Sequence, residues 1–378
     1  MPNFFSNLFS GLFNSQSKSV LGIDIGSSSI KIVQLSRRGC RVILETYGEL
    51  SLGPYAGKSI GEATNLSAEK IIEAVQNLLK EKEVNATTRI CGVAIPFSSS
   101  LITVIELPNQ SLKQLAEMIP IEARKYIPVP ISEVALDWYV IPKDRNPESE
   151  PTPNTDRDGK IVLEKQEVLI VALHNDTITR YHDIVTKSAL QATFFEIEIF
   201  STMRSILDQE LTPVLLIDMG ATSTKLYIVE RGILRSSHMI NSGGQNMTNE
   251  LSKSLGIPLP EAEILKREKG LLGEINGIEI KNVITVTLDY IFSEANRTVL
   301  AYQKKYNKNV SKVILVGGGS ALKGVVDVAK GSFQTEVLGG DPFAKVLSPA
   351  FLEKVLRETG PEFAVSVGVA LRCLQELE

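Results

Sequence analysis

Cysteine is scarce: Cys40, Cys91 and Cys373 are the three in 378 residues, and no Cys-x-x-Cys pair occurs. Thiols so far apart in sequence fit reduced side chains in a cytoplasm better than a disulfide or zinc framework. Histidine is as sparse, with His174, His182 and His238 scattered, and ordinary surface or core roles outweigh a His174/His182 metal pair. No apolar run nears the roughly 20 residues of a membrane-spanning helix. Nor does a basic start lead into an apolar core with a small-residue cleavage site. Membrane contact is therefore expected only at the periphery or through a partner. Lysine and arginine number 40 against 44 acidic residues and are dispersed, giving a net charge of −4. Nucleic acid is not an expected partner, because there is no basic stripe to meet a phosphate backbone.

What the chain does contain is one pattern twice. Val20-Leu-Gly-Ile-Asp-Ile-Gly-Ser-Ser-Ser-Ile-Lys-Ile-Val33 returns in residue type as Val214-Leu-Leu-Ile-Asp-Met-Gly-Ala-Thr-Ser-Thr-Lys-Leu-Tyr-Ile-Val229. In each copy an apolar run ends in Asp-x-Gly, small residues make a turn, and a lysine opens a second apolar run. That is how a buried strand, a tight turn and a returning strand look in sequence. Small residues leave the turn's backbone N–H groups open to a phosphate, and Asp24 and Asp218 can hold a hydrated Mg²⁺ beside it. Two such hairpins facing each other can clamp the phosphates of one nucleotide. A third glycine cluster, Val313-Ile-Leu-Val-Gly-Gly-Gly-Ser-Ala-Leu322, lacks the Gly-x-Gly-x-x-Gly spacing of a dinucleotide fingerprint. Gly53-Pro-Tyr-Ala-Gly-Lys-Ser59 has one residue too few between its glycines for a P-loop and reads as a loop.

Along the chain, residues 1–19 read as an arm in which Phe4, Phe5, Leu8, Phe9, Leu12 and Phe13 recur at helical spacing. A docking helix and a locally packed terminus both remain open there. Strands are expected at 20–35, 41–51 and 91–96, with a helix from about Ser67 to Val84 between the last two. From 92 to 189 the pattern becomes a compact α+β insert, with strands at 101–107, 134–141 and 168–173 and helices at 112–126 and 177–188. A polar loop, 142–160, joins its last two strands. The second hairpin then opens a second half, with helices after Ser242, at 260–269 and at 281–306. A final helix is expected from Pro361, its Ala364, Gly368 and Ala370 small enough for close packing.

Two Asp-x-Gly hairpins and a late Gly-Gly-Gly turn resemble the actin, Hsp70 and sugar-kinase superfamily over nearly the whole chain. Within it, the insert, Glu122-Ala-Arg-Lys-Tyr-Ile-Pro128, Glu133-Val-Ala-Leu-Asp-Trp138 and Gly360-Pro-Glu-Phe-Ala-Val-Ser-Val-Gly-Val-Ala-Leu-Arg372 resemble the type IV pilus assembly PilM family. FtsA proteins share the insert but typically add a C-terminal linker and membrane helix, whereas this sequence stops six residues after Arg372. The resemblance implies an α/β, actin-like (ribonuclease H-like) duplicated fold with two lobes and an FtsA-type 1C α+β subdomain insert. Its parts would be the arm 1–19, subdomain 1A from 20–91 and 190–212, the insert 92–189, and a second lobe (2A/2B) at 213–378.

The same resemblance implies bound ATP and Mg²⁺, with Asp24 and Asp218 at the metal. Gly26, Ser27, Ser28, Ser29 and Lys31 would form the first phosphate loop, and Gly220, Ala221, Thr222, Ser223 and Lys225 the second. Further nucleotide contacts are expected at Gly243 and Gly244, near the nucleoside at Glu263 and Lys266, and in an adenosine motif of Gly317, Gly318, Gly319 and Ser320. Glu198 best matches the superfamily's catalytic position for polarising water, with Glu196 alternating beside it; a solvated surface role for both is the competing reading. The implied partner is the cytoplasmic N-terminal peptide of the inner-membrane protein PilN, met near Glu122, Tyr126 and Ile127. Pilus motor ATPases and self-association are left open as further interactions. The implied setting is cytoplasmic, peripheral to the inner membrane, with at most slow ATPase activity. A small-molecule kinase and an FtsA-like division or filament-forming protein are the alternatives.

Overall fold

The computed structural model describes residues 18–143, 165–275 and 277–377. The apolar arm and nearly all of the 142–160 loop lie outside the described residues. The chain begins with β1 (Ser19–Ile25), β2 (Ser29–Arg38) and β3 (Arg41–Ser51), an antiparallel meander. Nearly every β1 residue is buried, as in a strand covered on both faces. α1 (Ala68–Lys80) then leads to β4 (Ile90–Ile95), which runs parallel to β1.

β5 (Ser100–Pro108), α2 (Leu112–Ala123), β6 (Val134–Val140) and β7 (Lys165–His174) form a separate unit, a three-stranded sheet in the order β5-β7-β6. A capping box of Ser111 and Gln114 starts α2, whose Leu115, Ile119 and Ala123 pack on the sheet. α3 (Asn175–Lys187) returns to β8 (Gln191–Ile197), completing a five-stranded sheet β3-β2-β1-β4-β8, and α4 (Glu198–Ile206) follows.

The plan then repeats. β9 (Val214–Met219), β10 (Thr224–Glu230) and β11 (Ile233–Ile240) form the second meander, followed by α5 (Gly244–Leu255) and α6 (Leu259–Lys269). A ribbon of β12 (Glu274–Ile275) and β13 (Ile278–Glu279) precedes α7 (Ile280–Tyr306), β14 (Lys312–Val316), α8 (Val325–Ser332) and β15 (Glu336–Gly339). This sheet is ordered β11-β10-β9-β14-β15, with β14 parallel to β9 as β4 is to β1. The repeated hairpin is thus the visible part of two repeated sheets. α9 (Glu353–Thr359) and α10 (Ala364–Glu376) end the chain.

Two expected boundaries move. Residues 92–95 belong to the first sheet through β4, and α3 packs on α1 and β8, so the insert proper is the β5 to β7 unit. α10 packs on β1, β2, β4 and α4, so the end of the expected second lobe rejoins the first half. A helix buried all round carries no periodicity that names its neighbour, which is why sequence alone misplaced it. Pro361 sits in a 3₁₀ turn, Gly360–Phe363, ahead of that helix rather than at its N1 position. The packing is close: a Cβ on Gly22 would lie 1.9 Å from the Ser366 carbonyl oxygen, and one on Gly368 1.9 Å from that of Ser201.

The insert branches from the first half yet touches the second. Glu167 on β7 accepts from Arg235 Nη1 on β11 at 3.1 Å and from the Tyr306 hydroxyl on α7 at 2.7 Å, with Lys305 Nζ at 2.9 Å. Arg235 Nε in turn lies 3.1 Å from Glu230. A cavity of about 240 Å³ sits at this junction.

Candidate functional site

The two Asp-x-Gly turns close in the same way. Gly26 N–H donates to Ser29 O at 2.9 Å, and Gly220 N–H to Ser223 O at 3.0 Å. Register places Asp24 opposite Lys31 and Asp218 opposite Lys225. The turn tips meet across a cleft, Ser27 Oγ lying 3.3 Å from Thr222 Oγ1. The cleft is a cavity of about 740 Å³ lined by both turns, both aspartates and both lysines. That is ample for a nucleotide.

Acidic side chains gather at its floor. Lys225 Nζ lies 2.7 Å from Glu198 and 3.3 Å from Asp218. Glu198 Oε1 also accepts from the Phe97 N–H at 2.6 Å. Burial first, then the Glu198 carboxylate, push the Asp24 pKa up to about 7, against the pull of Lys31 and Lys225. Burial by itself would lower the Lys225 pKa, but Asp218 and Glu198 hold its ammonium well above the ordinary value. The three carboxylates outnumber the two lysines, so the floor can accept a further cation. Among the described residues no three acidic, histidine or cysteine side chains converge as a metal cage. A hydrated Mg²⁺ takes only one or two carboxylates plus phosphate oxygens, and Asp24 and Asp218 are the carboxylates that could hold one.

Sequence reasoning misread the neighbourhood of Glu198. Glu196 and Glu198 do not share one side of a strand: Glu196 ends its run in β8, and Glu198 is the first residue of α4. Neither is a solvated surface residue, at 8% and 7% exposure. Glu196 turns away from the cleft and pairs with Arg204 and Arg372.

The side of the cleft where nucleoside contacts are expected is built by α5, α6 and the glycine turn. Gly244 and Gln245 N–H groups donate to Gly220 O at 3.0 Å and Ala221 O at 2.8 Å, seating α5 on the second turn. Lys266 Nζ reaches Glu263 at 2.6 Å, Thr248 Oγ1 at 2.8 Å and Gly244 O at 3.1 Å. Burial would raise the Glu263 pKa, but Lys266, Thr248 and Arg267 hold it below the usual carboxylate value. The glycines differ in their reasons. Gly317 has φ +81°, and a Cβ there would lie 2.4 Å from Asp218 Oδ1; one on Gly319 would lie 2.7 Å from Met219 Cβ. On Gly318 the nearest atom would be 3.7 Å away, so its missing side chain is the one that keeps the cavity open.

All the expected nucleotide residues line this cavity except Gly243, behind the second turn, and Ser320, whose hydroxyl donates to Gly317 O at 2.7 Å. Ile127, expected at a peptide surface, is instead in the insert's own core beside Leu115 and Ile119. Glu122 is ion-paired to Lys125 at 2.6 Å, and Tyr126 is 47% exposed. None of these three lines the cleft. Six charged residues in the cavity were missed: Glu49, which meets Lys31 at 3.1 Å, Arg180, Arg267, Lys323, Glu358 and Glu362. Arg267 could have been found, four residues after Glu263 on the same helix. Glu49 faces Lys31 only once the strand register is known. At its insert-facing end the cavity also takes in Ser98, Ser99, Thr177 and Arg180.

A family model described as type IV pilus assembly protein PilM matches residues 22–374. The cell division protein FtsA of Neisseria meningitidis serogroup B is 24% identical over 324 residues, 78% of this chain and 77% of that one. FtsA of Pseudomonas aeruginosa is 20% identical over 387 residues, covering 95% and 90%. Among solved structures, a PilM-PilN type IV pilus biogenesis complex superposes with TM-score 0.75 at 22% identity, covering 94% of this chain and 98% of that one. The ethanolamine utilization protein EutJ from Carboxydothermus hydrogenoformans gives 0.53 at 15% identity, covering 97% and 96%. The fold is the duplicated, two-lobed actin-like α/β architecture expected, and with 22–374 matched the chain belongs to the type IV pilus assembly protein PilM family.

Proposed function

We propose that the protein binds ATP·Mg²⁺ between its halves and acts as a cytoplasmic scaffold of type IV pilus assembly. One observation carries the nucleotide part: two equivalent phosphate turns face each other over an acidic floor that can take a cation. Asp24 and Asp218 would hold the hydrated metal, which supplies charge neutralisation of the phosphates. Lys31 and Lys225 would turn to phosphate oxygens, and Glu263, Lys266 and Gly318 would border the nucleoside. Calorimetry tests this: Asp24→Ala or Asp218→Ala should weaken Mg²⁺-dependent ATP binding at least about tenfold, roughly 1.4 kcal/mol. No binding by the intact protein overturns the reading.

The partner we propose is a short cytoplasmic N-terminal peptide of an inner-membrane protein of the PilN kind, linking that membrane assembly to the motors. A solved relative forms a PilM-PilN complex, and this chain keeps the insert. Tyr126, half-exposed at the end of α2, is the amphipathic aromatic best placed to anchor such a peptide. A PilN N-terminal peptide should lose affinity on Tyr126→Ala and keep it on deletion of 142–160; the reverse result overturns the placement.

Glu198 is the proposed water-polarising residue, and it is poorly freed for that work. Its Oε1 stays held by the Phe97 N–H even when Lys225 turns to phosphate, so slow turnover is expected. ATP then serves chiefly to order the two halves. A kinase is the second reading, favoured by the polar Ser98, Ser99, Thr177 and Arg180 next to Glu198, and phosphorylation assays against sugars and carboxylic acids test it.

A further inference from the structure

Tyr227 lies behind the acidic floor, and strand geometry sets it there. In the β9–β10 pair Lys225 is opposite Asp218 and Tyr227 opposite Leu216. Side chains two residues apart share a face, so Lys225, Tyr227 and Asp218 point to the same side of the sheet. The diagonal from Tyr227 to Asp218 is within reach of an aromatic side chain. The ring is fully buried and packs edge-on against Phe97, with centroids 6.3 Å apart at 69°. Phe97 is the residue whose N–H holds Glu198.

The hydroxyl's state is unusual. A phenol hydroxyl is a proton donor at neutral pH, and this one is enclosed beside the acidic floor. Among the described residues it completes no full hydrogen bond, although the Asp218 carboxylate lies close enough to act on it as an acceptor. Native cores rarely leave such a group unpaired. Asp218 Oδ2 lies 3.3 Å from Lys225 Nζ, and its Oδ1 abuts the glycine turn.

We propose that Tyr227 is a positioning residue for Asp218. When Lys225 turns to a bound phosphate, the phenol donates to the released Asp218 carboxylate and fixes it in the orientation that receives a hydrated divalent cation. The inference rests on the nucleotide-binding reading above.

The test is Tyr227→Phe, which removes the hydroxyl and keeps the ring, in the full-length chain. AMP-PNP affinity is measured by calorimetry with Mg²⁺ and with EDTA, and the thermal midpoint is measured without ligand. The midpoint should hold or rise, because no hydrogen bond is lost. The Mg²⁺-dependent gain in affinity should fall about tenfold, the lower end of what partners behind a metal ligand contribute, while affinity in EDTA is unchanged. On an Asp218→Asn background the substitution should have no further effect. Tyr302→Phe is the contrast: its hydroxyl already donates to Glu230 at 3.2 Å, so the midpoint should fall with Mg²⁺ dependence intact. A lowered midpoint for Tyr227→Phe, or an unchanged Mg²⁺ dependence while the wild type binds normally, overturns the role of Tyr227 alone. A wild-type protein that does not bind AMP-PNP overturns the nucleotide reading and this inference together.

Discussion

Glutamine at position 196 and glutamine at position 198 should have unlike consequences, although the two glutamates are equally buried. Glu196 accepts from Arg204 Nη1 and Nη2 at 2.7 Å each, from Ser201 Oγ at 2.6 Å and from Arg372 Nη1 at 2.8 Å. It thereby ties β8 and α4 to α10. Removing one partner of a buried ion pair costs about 3–5 kcal/mol. Arg204 and Arg372 keep 26% and 32% exposure and can find water, and glutamine retains part of the hydrogen bonding. The loss comes down to roughly 2–3 kcal/mol, about a 30- to 150-fold shift in the unfolding equilibrium. Burial would raise the Glu196 pKa, but Arg204, Ser201 and Arg372 depress it. Its contribution is therefore present above the unfolded carboxylate's pKa and is lost as pH falls through the folded value, where variant and wild type should converge. Glu198→Gln keeps an acceptor for Phe97 N–H and removes one charge from a crowded acidic floor. Ligand-free stability should then stay within about 0.5 kcal/mol of wild type or rise. Urea unfolding at pH 7.5, followed by circular dichroism, reads both variants. Equal losses from the two substitutions, or a silent Glu196→Gln, would refute the division of roles.

Asp24 carries a folded pKa of about 7 against 3.8 unfolded, so across that window the native state holds a proton the unfolded chain has shed. Ligand-free stability should decline as pH rises through it, and Asp24→Asn should flatten the slope of thermal midpoint against pH. Gly368→Ala should cost about 3 kcal/mol or more in urea unfolding through its collision with Ser201. Gly331→Ala, with open space around its Cβ position, should be neutral or slightly stabilising. Steady-state phosphate release should remain below about one per second, and Glu198→Gln should lower it further.

The repeated hairpin was legible because its signal is local: strand, small-residue turn, strand. The floor of the cleft followed from it, since Asp24, Lys31, Asp218 and Lys225 are fixed by the register within each hairpin. Contacts that depend on which sheet a segment joins were not legible. β4 and α10 have buried faces on several sides, and an apolar run does not say what it will meet. Ile127 failed for a related reason: an apolar residue after a helix end reads the same whether it anchors a peptide or fills its own core. Glu196 and Glu198 look like one alternating pair until the strand stops between them and the helix rotates the second carboxylate into the cleft.

Glu167 has a mechanical meaning. The insert hangs from the first half by its covalent ends, while Arg235, Lys305 and Tyr306 moor it to the second. The insert therefore adds one more tie between the halves, beside the turn tips across the cleft and the seat of α10 on the first sheet. A load pulling on the insert is thus shared between its covalent ends and the Glu167 mooring, which passes part of it into β11 and α7.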